Sequence, residues 1–335
     1  MRAMVLDGGT GLDHLKLADV PAPKAGPGEV VVRLRKASIN YRDLATVTAP
    51  MLPRLPMIPL SDGAGIVEEV GEGVSRVVAG DLVMPSFFPG WISGPPEGRA
   101  MAGALGGGVD GVAQEAIRLS AEGVTRAPRH FDAAEAATLP CAALTAWRAL
   151  IVEGHLKPGQ TVLVQGTGGV SIFALQFAKI AGARVIVTSS SDEKLERAKG
   201  LGADELINYR ATPDWAKAAR ELTGGRGVDH VVEVGGAETF RQSIAAAALG
   251  GHVAVIGVLS GAVKDLSVVE IFARNLTIGG ITVGSRVQCE DMVRAIEVAG
   301  LRPVIDRSFP LEALPEALSL MRSGGHFGKV VIDIG

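Results

Sequence analysis

Cysteine is almost missing from this chain: Cys141 and Cys289 are the two present in 335 residues. Neither belongs to a CxxC pair, so neither a disulfide-stapled scaffold nor a thiolate metal knuckle has support in the sequence. Aromatic side chains are scarce, at 4%, while glycine reaches 44 residues, a balance that fits turn-rich α/β structure. A surplus of either charge is lacking as well. Lys and Arg number 33 against 36 Asp and Glu, a net charge of −3, so nothing in the charge balance suggests a surface for nucleic acid or an acidic partner. Mean hydropathy is +0.29, yet no charge-free apolar run approaches the ~20 residues that span a bilayer. The opening Met1-Arg2-Ala3-Met4-Val5-Leu6-Asp7 has no long apolar signal core. The expectation is a cytoplasmic protein without a membrane segment. Six histidines (His14, His130, His155, His230, His252 and His326) stand apart with no HExxH or HxH spacing. No local pattern gathers the three or four ligands that zinc requires.

What the chain does contain is a glycine turn between two strong local signals. Thr161-Val162-Leu163-Val164 reads as a short buried strand, and Ile172 to Lys179 repeats its apolar residues at helical spacing. Between them lies Gln165-Gly166-Thr167-Gly168-Gly169-Val170-Ser171. A strand, a tight glycine turn and a helix start form the first unit of a dinucleotide-binding βαβ fold. The glycines let backbone approach a pyrophosphate, and N–H groups at the helix start meet its charge. Gly166, Thr167, Gly168, Gly169 and Val170 are therefore the predicted cofactor loop, with Ser171 at the third small position in place of Gly or Ala.

The period of the sequence changes along its length. Glu29–Arg35, Gly65–Gly71 and Asp81–Pro85 read as short strands, and repeated prolines exclude long helices before residue 60. The stretch Phe87–Gly111, with Pro95-Pro96 and Gly106-Gly107-Gly108, reads as a loop or lid, and Phe87-Phe88-Pro89-Gly90-Trp91 as an apolar wall. Asp132 with Glu135 predicts a capped helix continuing through an Ala-rich run to about Gly154. Beyond it strands and helices alternate, which implies a parallel sheet covered on both faces. The tail after Val283, with helices near Glu290–Ala299 and Leu314–Ser323 and a last strand at Lys329–Ile334, is too short for a domain and is expected to return to the first one. The division drawn is 1–126, 127–284 and 285–335.

The chain resembles the medium-chain dehydrogenase/reductase superfamily, in its zinc-independent, alcohol dehydrogenase-like and quinone oxidoreductase-like branch. The resemblance rests on Ala37-Ser38-Ile39-Asn40-Tyr41-Arg42-Asp43, Ser61-Asp62-Gly63-Ala64-Gly65, Leu139-Pro140-Cys141-Ala142-Ala143-Leu144-Thr145-Ala146 and the glycine loop. Leu201-Gly202-Ala203-Asp204, Ile207-Asn208-Tyr209-Arg210 and Gly224-Gly225-Arg226-Gly227-Val228-Asp229 add to it. It implies an α/β protein: a β-rich GroES-like catalytic domain, a Rossmann doubly wound parallel sheet, and a C-terminal segment that rejoins the first domain. Zinc alcohol dehydrogenases hold their catalytic zinc with a Cys where this chain has Asn40, a His where it has Ser61 and a Cys at the place of Cys141. Their four-cysteine structural zinc loop has no counterpart in Phe87–Gly111. The resemblance thus implies an enzyme without zinc, with Cys141 a small packed residue.

NAD enzymes place an Asp or Glu at the end of the second strand for the ribose 2′-hydroxyl, whereas this chain has Thr188-Ser189-Ser190-Ser191. A carboxylate would repel a 2′-phosphate and small hydroxyls can donate to it, so NADP is favoured over NAD. In zinc-free quinone reductases a Lys and a Tyr at the places of Lys194 and Tyr209 bind that phosphate, which adds Ser189, Ser190, Lys194 and Tyr209 to the cofactor set. The resemblance further places Asn40, Thr145, Gly257, Val258, Ile281, Thr282 and Val283 at the nicotinamide end. Without zinc, charge on the substrate oxygen needs a hydrogen-bond donor. Tyr41 is the candidate, with packing as its alternative role; Arg42 and Arg286 are weaker donors, and Asp43 is an orienting group. Some enoyl reductases of the superfamily carry a Tyr further along, where this chain has Met51. Three functions suit these residues: an NADP(H)-dependent reductase of quinones or α,β-unsaturated carbonyls, a metal-free alcohol dehydrogenase or ketone reductase, and a crystallin-like NADPH-binding protein without turnover. The substrate is a small molecule in the first two. Asn275–Val283 reads as an edge strand of the Rossmann sheet, through which family members dimerise, so a homodimer is expected.

Overall fold

A computed structural model describes residues 1–48, 55–264 and 266–335, so Met51 lies outside the described residues. The chain divides into two compact units, Thr145–Thr282 and the combination of Met1–Leu144 with Val283–Gly335. In the continuous unit the strands are β1 (Thr161–Gln165), β2 (Arg184–Ser189), β3 (Glu205–Asn208), β4 (Val228–Glu233), β5 (Ala247–Val255) and β6 (Thr277–Gly280). All pairings are parallel and the spatial order is 3-2-1-4-5-6, that of a doubly wound Rossmann sheet. Every residue of β1 is buried, as a strand covered on both faces requires. The helix Gly169–Ile180 packs Phe173 and Phe177 inward, at 2% and 0% exposure, each worth about 1.5–3 kcal/mol of burial. Strand β6 closes the sheet as an edge, where the alternation after β5 places it.

The other unit is built on the long strand Glu29–Ile39, which pairs antiparallel with Asp62–Val70, Ala116–Ser120 and Lys329–Asp333. The tail therefore does return to the first sheet, setting Val330 opposite Ile39. That strand pairs on its other side, in parallel, with Ile305–Pro310. One core gathers Val30, Val32, Leu34 and Ile39 with Leu314, Leu318, Val330 and Ile332, so N- and C-terminal segments share a single apolar interior.

Sequence period and compact units do not divide at the same place. Residues 127–144 share the helical period of the Rossmann segment but pack with the first unit, where the helix Ala133–Ala137 lies against Glu29–Ile39 and Asp62–Val70. Its capping box is as expected: the Asp132 side chain accepts from Glu135 N, and Glu135 Oε2 accepts in turn from Asp132 N. The run beyond is not one regular helix. Pro140 has no N–H to give, and Cys141 N donates to Asp62 Oδ2 at 2.8 Å instead of to the helix. The turns widen to compensate, with Leu144 N reaching Leu139 O and Glu153 N reaching Arg148 O, five residues back in each case. Such π segments mark positions where tertiary bonds outcompete helical ones. Phe87–Gly111 is irregular apart from the helix Gly98–Ala102. Phe87, Phe88 and Trp91 are buried, with Phe88 in ring contact with both of the others.

Candidate active site

The glycine loop leaves β1 as predicted. Gly166 sits at φ +71, a conformation L side chains rarely adopt, and its N–H donates to Thr188 O at 2.7 Å, tying the loop to the end of β2. Gly168 is the N-cap of the helix Gly169–Ile180 and brings no side-chain acceptor. The first-turn N–H groups of Gly169 and Val170 are thus left for an anion. Thr167 is buried. Ser171 explains its own departure from Gly or Ala: its hydroxyl donates to Gln165 O at 2.7 Å, closing the turn from inside.

At the end of β2 the structure brings several predicted cofactor residues together. Tyr209 N donates to Ser189 O at 3.0 Å, which sets the half-exposed Tyr209 beside the serine run. Ser189 Oγ accepts from Ser191 N, and Ser191 Oγ caps the next helix by accepting from Lys194 N. Asp192, the carboxylate nearest to this strand end in sequence, is held by Asn208 Nδ2 at 2.7 Å. Ser190 and Lys194 are half-buried. Elsewhere in this unit Thr145 and Ile281 are buried, Val258 is exposed, and Thr282 Oγ1 accepts from Arg148 Nη1. Gly257 has no room for a side chain, because a Cβ would lie 2.4 Å from Val234 O. A separate groove lined by Lys217, Arg220 and Arg274 is no rival site: both guanidiniums are spent on backbone carbonyls.

The first unit holds a buried charged cluster that sequence reasoning saw only in pieces. Lys329 Nζ donates to Ile39 O at 2.7 Å and to Asn40 Oδ1 at 2.6 Å. Asn40 Nδ2 donates to Ser61 Oγ at 3.4 Å, and Ser61 Oγ to Asp62 Oδ1 at 2.7 Å. Asp62 Oδ2 accepts the Cys141 N–H. Asp43 is 1% exposed. It accepts from Asn40 N at 2.8 Å and from Arg42 Nη1 at 3.2 Å, so its orienting action falls on Asn40 and Arg42. Burial pushes Asp62 up to about 6, with the Lys329 ammonium pulling the other way. Asp43 is also raised by burial, against the neighbouring Arg42. Lys329 is lowered by burial, opposed by Asp62. Burial also raises the Cys141 thiol, and Asp62 adds to the effect, so the group is neutral and un-nucleophilic near pH 7.

Lys329 was legible only as the start of a last strand; its place is fixed by pairing with Ile39, far away in sequence. Tyr41 begins the helix Tyr41–Thr48 and is 47% exposed. The weaker donors are committed. Arg42 donates to Leu105 O and Gly106 O and stacks 4.9 Å from the Phe87 ring, and Arg286 pairs with Glu122 and Glu290. Val283 is buried in this unit.

Two family models match: the alcohol dehydrogenase GroES-like domain over residues 26–129 and the zinc-binding dehydrogenase over residues 169–298. A zinc-type alcohol dehydrogenase-like protein of Schizosaccharomyces pombe is 48% identical, with 100% of this chain and 99% of that protein covered. The crystal structure of an NAD-dependent alcohol dehydrogenase superposes with a TM-score of 0.90 at 39% identity, covering 100% of both chains. The acryloyl-coenzyme A reductase of Sulfurisphaera tokodaii is 28% identical over 99% of each chain. The chain is a medium-chain dehydrogenase/reductase of the alcohol dehydrogenase-like branch. It is an oxidoreductase, with a β-rich GroES-like unit and a Rossmann unit whose strand ends suit a nicotinamide dinucleotide.

Family membership raises zinc, and in this medium-chain dehydrogenase/reductase the places that the resemblance matches to the zinc ligands hold Asn40, Ser61 and Cys141. An amide and a hydroxyl therefore stand at two of the three places, where zinc sites use thiolate, imidazole or carboxylate donors. The amide and hydroxyl are already engaged with each other, with Lys329 and with Asp62. Among the described residues no three His, Cys, Asp or Glu side chains gather into a metal-holding group.

Proposed function

We propose that this oxidoreductase works without metal, uses NADP(H), and reduces quinones or α,β-unsaturated carbonyls. The observation that carries the reading is the Lys329–Asn40–Ser61–Asp62 chain of hydrogen bonds, which engages the amide and the hydroxyl that stand at two of the three ligand places the resemblance points to. A reductase lacking a Lewis acid favours acceptors that spread their own developing charge, and conjugated carbonyls do so better than simple ketones. Tyr41 supplies the phenol O–H for the substrate oxygen; phenols donate without tuning. In the Rossmann unit Gly166–Ser171 receives the pyrophosphate, and Ser189, Ser190, Lys194 and Tyr209 the 2′-phosphate. Thr145, Gly257, Val258, Ile281 and Thr282 face the nicotinamide end. When bound, the dinucleotide supplies the hydride. The relative named for acryloyl-coenzyme A supports a conjugated acceptor. Relatives named as alcohol dehydrogenases support the second reading, a metal-free alcohol dehydrogenase or ketone reductase, for which NAD is the alternative cofactor.

The test is consumption of NADPH and NADH against quinones, enones, aldehydes and ketones, with and without a strong chelator. Turnover with NADPH on quinones or enones, unchanged after chelation, is expected. Activity lost to chelator and restored by zinc overturns the metal-free reading, and turnover confined to aldehydes and ketones moves the substrate to the second one.

We further propose a homodimer through the β6 edge. The neighbouring helix Val268–Ala273 exposes Val268, Val269 and Phe272 at 65%, 61% and 65%, an apolar surface that a lone subunit would leave in water. Light scattering at micromolar concentration is expected to give twice the chain mass, and a Phe272→Glu variant the single mass. A monomeric wild type refutes the dimer.

A further inference from the structure

The Rossmann unit contains a carboxylate that the proposed chemistry does not use. Glu233, the last residue of β4, is fully buried, yet has no cation in hydrogen-bond reach among its partners; donors surround it instead. Its Oε1 accepts from Gly235 N at 2.7 Å, Gly236 N at 2.9 Å and Thr239 Oγ1 at 2.6 Å. Its Oε2 accepts from Gln165 Nε2 at 2.8 Å and from Ser243 Oγ. Gln165, the last residue of β1, completes the exchange, its Oε1 accepting from Val234 N at 3.2 Å. A buried carboxylate this fully satisfied is costly to disturb, since each donor it releases is stranded away from water.

The position gives the network its meaning. Strands β1 and β4 are neighbours, and the strand order reverses between them, where open α/β sheets bind ligands beyond the carboxyl ends of their strands. The Gln165–Glu233 bond thus joins the two strand ends that flank the reversal. On one side Gln165 leads directly into Gly166, and its carbonyl holds Ser171. On the other side Glu233 fixes the Val234–Gly236 turn, against which Gly257 packs without room for a Cβ.

We infer that Glu233 is a positioning residue for the dinucleotide, acting through Gln165 to hold the glycine loop and the Val234–Gly236 turn at one fixed separation. This rests on the reading that the Rossmann unit binds a nicotinamide dinucleotide. Losing the clasp loosens both walls of the site without removing a group that touches substrate, so cofactor affinity should fall while turnover at saturating cofactor survives.

The experiment uses full-length protein and measures NADPH and NADH Kd by fluorescence, steady-state kcat and KM for the cofactor, and melting temperature. Glu233→Gln turns an acceptor into a donor among donors and is expected to raise Kd and KM for the preferred dinucleotide at least ten-fold, with kcat within two-fold of wild type. The exchange Gln165→Glu with Glu233→Gln restores an amide–carboxylate pair and is expected to recover most of that affinity. Thr239→Val, which removes one donor and keeps the carboxylate, should raise Kd about three-fold and serves if Glu233→Gln does not fold. Binding by the wild type with Kd unchanged in Thr239→Val and Glu233→Gln overturns the inference, as does an exchanged pair that regains melting temperature without affinity. Absence of dinucleotide binding in the wild type overturns the underlying reading and the inference with it.

Discussion

Replacing Lys329 by Met is expected to lower the unfolding free energy by about 3–5 kcal/mol, the usual cost of removing one partner from a buried charged group. Met keeps most of the aliphatic stem, so little volume is lost and the effect isolates the ammonium. Without it Ile39 O and Asn40 Oδ1 lose their donor, and Asp62 loses the cation that offsets its burial. The loss should also depend on pH. A carboxyl whose folded pKa lies above its unfolded value contributes stability that is present at low pH and disappears as pH rises through the folded value. Asp62 already behaves this way, raised from 3.8 to about 6, and without Lys329 it rises further. The deficit of Lys329→Met is therefore expected to be larger at a pH well above 6 than below it. Urea unfolding across this range, with unchanged slope, measures it. A loss below about 1 kcal/mol, the scale of a single ordinary hydrogen bond, would show that the cluster does not depend on its cation.

Acid should weaken the Rossmann unit through a second buried group. His230 and His252 lie opposite each other on β4 and β5, their Nδ1 atoms 3.4 Å apart, with His230 Nε2 3.0 Å from Gln160 Oε1. Burial, and then His252, push His230 down from 6.5 to about 4, with Asp229 opposing. His252 is lowered too, by burial first, with His155 adding to it against Glu153. A depressed histidine gives stability that is present above the unfolded pKa and is lost as pH falls through the folded one. The window for His230 is 6.5 down to about 4, and the loss across it is about 3 kcal/mol. His230→Gln keeps a polar side chain that cannot titrate, and its acid limb should be flatter by that amount. Parallel limbs for wild type and variant would remove His230 as the cause.

Local signals carried the sequence reading where the backbone decides the outcome by itself. The glycine loop, the Asp132–Glu135 box and the helix Leu314–Ser323 each have their cause within a few residues. The helix Val268–Ala273 went unread because its six residues are too few for a helical period to show in a run that is apolar almost throughout; its one local sign is Ser267, which caps Glu270 N. Other features are settled at long range. Nothing near Cys141 announces that its N–H will leave the helix for Asp62, and nothing near Lys329 announces Asn40. Gln165 read as a strand end because its partner, Glu233, is 68 positions away. Arg42 read as a free donor because the carbonyls it serves lie on a loop more than 60 positions further on.

The last strand also sets an order of assembly. The Rossmann unit is one uninterrupted segment, Thr145–Thr282, and so has all its strands before the ribosome reaches the tail. The first unit does not: Glu29–Ile39 must wait through the synthesis of the whole Rossmann unit for the strand that carries Lys329. During that interval Asp43 and Asp62 have no ammonium to sit beside, and the sheet has an open edge where Lys329–Asp333 will pair. Domains that complete themselves early fold early; here the unit made first is finished last, and its vulnerable period in the cell is the time taken to translate its neighbour.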